Sequence, residues 1–196
     1  MTDVPIKDAA SVVLLRDIDS TPKVLMGQRG KHAAFMPNKY VFPGGAVDPE
    51  DAQATLPGKP SATCQSRLGD KGPALLAAAL RETWEETGLT LRDCDGLRYF
   101  FRAITPAGRP RRFDARFFIG NASAMIDGDL DDFSHASDEL SHLHWVLLSE
   151  ARQLNLPFIT EVVLAEVEAL AKTDQAPPSV PFFDNSTGTS RFLRIP

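Results

Sequence analysis

The sequence predicts an α/β sandwich built on a mixed β-sheet. Three observations carry that prediction. Several short β-rich runs are bounded by turn residues. Two longer stretches, residues 74–87 and 157–173, have the composition and apolar spacing of helices and lie between groups of strands. With 196 residues and 43% hydrophobic content, the chain is long enough to bury a substantial core.

The elements follow in order. "ASVVLLRD" (10–17) and "KVLMGQRG" (23–30), split by the turn-like "IDSTP", read as a hairpin. "YVFPGGAVD" (40–48) starts as a strand and meets Pro43, Gly44 and Gly45, where the backbone can take shapes closed to other residues. Residues 49–72, rich in Pro, Gly, Ser, Asp and Thr, read as a loop with some mobility. Gly72 and Pro73 suit an N-cap and a first helical position for the helix that runs to Thr87, and Gly88 suits the position just past its end. Leu76, Leu80, Trp84 and Thr87 are assigned to its core-facing stripe.

"LRYFFRAIT" (97–105) and "RRFDARFFIG" (111–120) are two strands joined by "PAGRP". In the second, Arg112, Asp114 and Arg116 alternate with Phe113, Ala115 and Phe117. "LHWVLLS" (143–149) is a further strand, 157–173 an amphipathic helix, and a Pro-rich tail begins at residue 174. No internal repeat or second domain is legible. Residues 1–196 therefore read as one domain, with an inserted loop at about 52–72.

Composition narrows the function. The net charge of -5 provides no basic footprint for nucleic acid. Cys64 and Cys94 form no CxxC pair or ligand cluster and read as ordinary thiols of a reducing compartment. The N-terminus "MTDVPIKDAA" has no signal-peptide pattern and no apolar run reaches the length of a membrane span, so a cytoplasmic location is expected.

The chemistry points to residues 81–88, "RETWEETG". Glu82, Glu85 and Glu86 sit at i, i+3 and i+4, side by side on a helix. Like charges at this spacing repel, and anions near a helix C-terminus oppose its dipole. A bound cation is the simplest compensation. An acidic face with no partner but water is the plain alternative.

The run Arg81-Glu82-Thr83-Trp84-Glu85-Glu86-Thr87-Gly88-Leu89, together with Gly45 to Asp51, resembles the box of the Nudix hydrolase family. Thr83 stands where that family has an aliphatic residue, and Asp51 where it has its first Glu. Residues 52–80 make the spacing longer than the family's, as in members similar to coenzyme A diphosphatases. Loop closure grows slowly with length, so an insertion there is compatible with an intact glutamate face.

The resemblance implies a Nudix-type α/β/α sandwich and hydrolysis of a diphosphate linkage with Mg²⁺ or Mn²⁺. Glu82, Glu85 and Glu86 would hold metal, which suits hard carboxylate oxygens. Arg81 would orient a glutamate through a charge-assisted bond, and Gly44 and Gly45 would let the backbone pass close to the site. Glu82 or Glu139 would be the general base; for Glu139 a plain loop carboxylate is the alternative.

The substrate would be a small diphosphate compound: coenzyme A or acyl-CoA, a nucleoside diphosphate sugar or ADP-ribose, or a nucleoside triphosphate. Arg29 belongs to the expected substrate-binding set. A coenzyme A signature of the family is not matched after it, since Ala34 stands at its Arg position. Arg112 and Arg116 either line a substrate cleft or belong, with Asp114, to an internal ion-pair network. Phe35, Met36, Lys39 and Tyr40 read as substrate rim or ordinary packing. His135, His142 and His144 fit no ligand spacing. A homodimer is compatible with the resemblance, with the tail as candidate glue. The contrasting class is a Nudix-fold sensor that binds a nucleotide-like ligand without cleaving it.

Overall fold

A computed structural model describes residues 4–173 and 175–196. Residues 1–3 of the expected signal-free N-terminus, and Asp174, where the expected tail begins, lie outside the described residues.

The chain opens with β1 (Ile6–Arg16) and β2 (Lys23–Arg29), the expected hairpin. Short strands β3 (Tyr40–Val41) and β4 (Gly44–Ala46) flank Phe42 and Pro43. Then come α1 (Ala62–Leu68), α2 (Gly72–Thr87), β5 (Arg98–Ile104), β6 (Arg112–Asn121) and the single turn α3 (Ala122–Met125). β7 (Leu140–Leu147), α4 (Phe158–Leu170), β8 (Val180–Asp184) and β9 (Arg191–Ile195) complete the order.

The strands form one mixed sheet in the order β3-β2-β1-β6-β5-β8-β9, with β4 paired to β1 and β7 to β2. β1 runs parallel to β6 through ten residue pairs, and β5 is parallel to β8; the other pairings are antiparallel. β1 holds β2 only at its last two residues and β4 at Ala9–Ser11, so β2 diverges from it and leaves room for the glycine strand.

One sheet face packs Ala10, Val12, Leu14 and Phe118 against α1 and α2. The other packs Val13, Leu15, Phe101 and Phe117 against α4. The α/β/α sandwich is the one expected. Among the described residues, no helix is long and apolar enough to cross a membrane.

At three places the structure goes against or beyond the expectations. Residues 49–72 are not a bare loop: a 3₁₀ turn spans Pro49–Gln53, and α1 is capped by Ser61, whose Oγ accepts from Cys64 N at 3.2 Å. Cys64 and Leu68 of α1 are buried in the core. The Pro-rich tail, which the sequence leaves without assigned elements, contains β8 and β9, which extend the sheet beyond β5. Arg67 joins the two segments, donating to Pro177 O at 2.8 Å and Pro178 O at 2.9 Å.

The third difference lies on α2. Leu76 and Thr87 of the expected stripe are buried and Leu80 packs against the core, but Trp84 is 44% exposed, and Thr83 and Glu86 are buried as well. Thr83 is fully buried, and its hydroxyl is satisfied by donating to Ala79 O at 2.7 Å, so the core tolerates it where the box has an aliphatic residue.

Candidate active site

The site lies where α2 crosses the strand end at Gly44 and Gly45. Gly88, at φ 75°, closes α2 in the left-handed conformation, its N–H on Trp84 O at 2.8 Å. The helix therefore continues as far as all three glutamates. Their side chains grade from solvent to core: Glu85 is 49% exposed, Glu82 12%, and Glu86 is buried at 2% as a residue.

A Cβ at Gly45 would push the Glu82 carboxylate out of its place. Gly44 donates its N–H to Glu86 Oε2 at 2.7 Å. The backbone thus approaches the carboxylates closely, as the resemblance implies.

Arg81 ties the site to the insertion. It donates to both oxygens of Asp51, at 3.0 and 2.8 Å, and to Glu82 Oε1 at 2.9 Å, Glu85 Oε2 at 3.2 Å and Ala46 O at 3.0 Å. Asp51 is 5% exposed and also accepts from Asp48 N at 2.8 Å. Burial pushes the Asp51 carboxyl up, but the Arg81 bonds and the Asp48 N–H outweigh it and hold the group below the usual carboxylate range. Asp51, at the sequence position of the first box Glu, is therefore a buried partner of Arg81 despite the insertion. The spacing Asp48-Pro49-x-Asp51, an N-terminal capping pattern, is the sequence signal for it.

Electrostatics single out Glu86. Burial, with the Glu139 and Glu82 carboxylates adding to it, pushes its carboxyl up to about 8 against the Gly44 N–H. Burial likewise raises Glu82, opposed by Arg81 and reinforced by Glu85 and Glu139. Glu86 Oε1 is buried with no hydrogen-bond partner among the described residues. An orphaned buried carboxylate oxygen calls for a ligand or a proton.

Glu139, on the segment before β7, bonds Arg29 Nη2 at 3.0 Å, and Arg29 Nε is held by Phe35 O at 3.0 Å. Both groups act electrostatically on Glu86, so Arg29, Gly44, Gly45, Arg81, Glu82, Glu85, Glu86 and Glu139 form one cluster. Arg112 and Arg116 fit the internal-network alternative. Arg116 is 6% exposed and bridges Asp8 at 2.5 Å and Asp114 at 3.1 Å; Asp114 also binds Arg102, and Asp8 binds Lys71. Arg112, 3% exposed, donates to Thr105 O and Asn185 O.

Among the described residues, no three His, Cys, Asp or Glu side chains converge as a ready-made metal cage. The reason is local: Arg81 holds Glu82, and Gly44 holds Glu86. Mg²⁺ needs only one or two carboxylates beside water and phosphate oxygens. An oxygen-only donor set with the orphaned Glu86 Oε1 fits such an ion.

A family model described as the NUDIX domain matches residues 5–167. The putative nudix hydrolase 7 of Caenorhabditis elegans is 29% identical over 174 residues, covering 71% of this chain and 51% of that protein. The acyl-coenzyme A diphosphatase NUDT19 of Gallus gallus is 31% identical over 115 residues, covering 45% of this chain and 27% of that protein. The chain thus spans well under two thirds of either curated relative.

Among solved structures, a NUDIX hydrolase from Alicyclobacillus acidocaldarius superposes with a TM-score of 0.65 at 26% identity, over 88% of this chain and 94% of that one. The NUDIX domain of Shewanella oneidensis NrtR, solved with ADP ribose, gives 0.58 at 15% identity over 84% and 88%, a likeness of fold. The match runs from β1 through the glycine strand and the glutamate helix into α4, and the chain belongs to the NUDIX domain family.

Proposed function

We propose that the chain is a Mg²⁺- or Mn²⁺-dependent hydrolase of a diphosphate linkage in a nucleotide-like substrate. The observation that carries this reading is the buried Glu86 carboxylate, with one oxygen orphaned beside the carboxylates of Glu82 and Glu139. Glu82, Glu85 and Glu86 would hold the metal. When bound, the metal neutralises phosphate charge and lowers the pKa of water.

The chain's own groups do the rest. The Gly44 N–H and the Arg81 guanidinium fix the carboxylates. Arg29 exchanges its bond with Glu139 for a phosphate oxygen, with the Gly44–Gly45 backbone alongside the substrate. Glu139, half exposed and freed of that pair, takes the proton of the attacking water; Glu82 is the other candidate. The water oxygen bonds to phosphorus, the bridging oxygen leaves with its electron pair, and two phosphate-bearing products separate.

Coenzyme A and acyl-CoA lead the candidate substrates, supported by the insertion and by the stated activity of the Gallus gallus relative. Nucleoside diphosphate sugars, ADP-ribose and nucleoside triphosphates follow. Retention of all three box glutamates favours cleavage over a purely sensing role. Cytoplasmic residence and a homodimer belong to the same proposal, and sedimentation of the full chain tests the latter.

The test is a screen of these compounds with Mg²⁺ and with Mn²⁺, with product analysis. Cleavage of at least one is expected, and Glu86→Gln should keep the fold and lose about 10²–10⁴-fold in kcat. Tight binding with no cleavage in any divalent metal would replace this reading with the sensor.

A further inference from the structure

We propose that Trp84 and His135 form a latch that clips the segment carrying Glu139 to the glutamate helix, making Trp84 a positioning residue for the reaction. The inference rests on the hydrolase reading above and goes beyond it to a side chain outside the glutamate cluster.

Residues 127–139 contain no helix or strand. Such a stretch lacks the ladder bonds that fix a strand, so its shape depends on side chains and isolated hydrogen bonds. Its first half is tied to the core: Trp145 Nε1 donates to Leu130 O at 2.9 Å, and Arg16 pairs with Asp131 at 2.8 Å. Its second half, which ends at Glu139, meets the last turn of α2 at three points.

The Trp84 ring stacks on His135, with centroids 5.9 Å apart and planes 29° from parallel. Ser137 donates its N–H to Glu85 O at 2.8 Å, using a carbonyl that the end of the helix leaves without an intrahelical partner. Gly88 lies under the same turn, and a Cβ there would come within 3.0 Å of His135 Cβ and 3.1 Å of Ala136 N.

All three contacts come from the turn that carries Glu85 and Glu86. They therefore set the distance between the segment and the glutamates. Glu139 follows Ser137 by two residues and acts electrostatically on both Glu82 and Glu86. On its other side Glu139 adjoins Leu140, which is buried and paired with Arg29 in the β2–β7 ladder. Its side chain is held by the Arg29 ion pair, which is half exposed on the carboxylate side and is the bond that a phosphate would take over. Once that bond is exchanged, the ladder fixes Glu139 from one side and the latch from the other. This also accounts for a large apolar side chain being 44% exposed beside an acidic site.

Two readouts test the latch on the full chain. In Trp84→Ala, hydrogen exchange at the Ser137 amide should quicken about tenfold or more while β1 and β6 amides stay as they were, and kcat should fall about tenfold with KM within about twofold. Trp84→Phe should restore both readouts, and adding Trp84→Ala to Glu139→Gln should cost nothing further. Unchanged exchange at Ser137, a cost that multiplies onto that of Glu139→Gln, a Glu139→Gln variant with full kcat, or no rescue by Phe would each overturn the proposal. If the unaltered protein cleaves no diphosphate compound, the hydrolase reading fails, and the exchange measurement alone decides whether the latch exists.

Discussion

Glu86 carries the conflict that the three clustered acids announce. Its carboxyl is buried against a backbone N–H, with carboxylates on either side and one oxygen without a partner. With its folded value near 8 and an unfolded value in the ordinary carboxylate range, the group binds more protons when folded than when unfolded. Its contribution to stability is therefore complete below the unfolded value and is lost as pH rises through about 8. In metal-free buffer at pH 8, Glu86→Gln should melt at a higher temperature than the parent, and the difference should shrink towards pH 4.5. Equal melting temperatures at both pH values would count against it. A metal must displace that proton, so Mn²⁺ affinity should weaken up to about tenfold per pH unit below about 8. Titration calorimetry in buffers of different ionisation enthalpy measures the proton released. The acids themselves were legible in the sequence. What was not legible was which of them points inward, since a helical repeat gives spacing and not the angle at which the helix sits on the sheet.

At the scale of the element, α2 and the insertion before it work as one unit through Arg81. The helix was readable from its composition, from Gly88 and from the capping residues to within about two residues. Trp84 alone of the expected stripe was misplaced, because it is the most apolar side chain on that stretch and Glu86 the least expected in a core; the site buries the acid and leaves the aromatic ring to the neighbouring segment. The insertion lacked any periodicity, yet Asp51 and the Ser61-capped α1 order it from both ends. Asp51→Asn removes one carboxylate charge from Arg81 and leaves Glu82 and Glu85 as its acidic partners at hydrogen-bond distance. Because Arg81 is 26% exposed, the loss should be about 2 kcal/mol, below that for a fully buried pair. Denaturant unfolding measures this, and kcat should fall as well because Arg81, which holds Glu82, loses the carboxylate that fixes its own position. Full stability in Asp51→Asn would show that Arg81 does not depend on that carboxylate.

Across the whole molecule, the fold brings distant segments to one site: Gly44 from the first quarter of the chain, the glutamates from the middle and Glu139 from the loop before β7. The α/β class and the mixed sheet followed from strand and helix order; the α/β/α layering came with the family resemblance. The tail did not, because Pro-rich composition hides two strands whose partners are β5 and each other, and whose approach is guided by Arg67 of the insertion. A chain ending at Thr173 loses the burial of Val180 and Phe182. It should be about 3–5 kcal/mol less stable and melt about 10 °C lower. An unchanged melting temperature would mean that the hairpin adds nothing to the core. The central claim is that the glutamate helix and the glycine strand together hold a divalent cation against a diphosphate. Crystals grown with Mn²⁺ and a non-hydrolysable diphosphate analogue test it most directly. An anomalous peak among Glu82, Glu85, Glu86 and the diphosphate, absent in Glu86→Gln, is the predicted result; a bound diphosphate with no peak beside those carboxylates would contradict it.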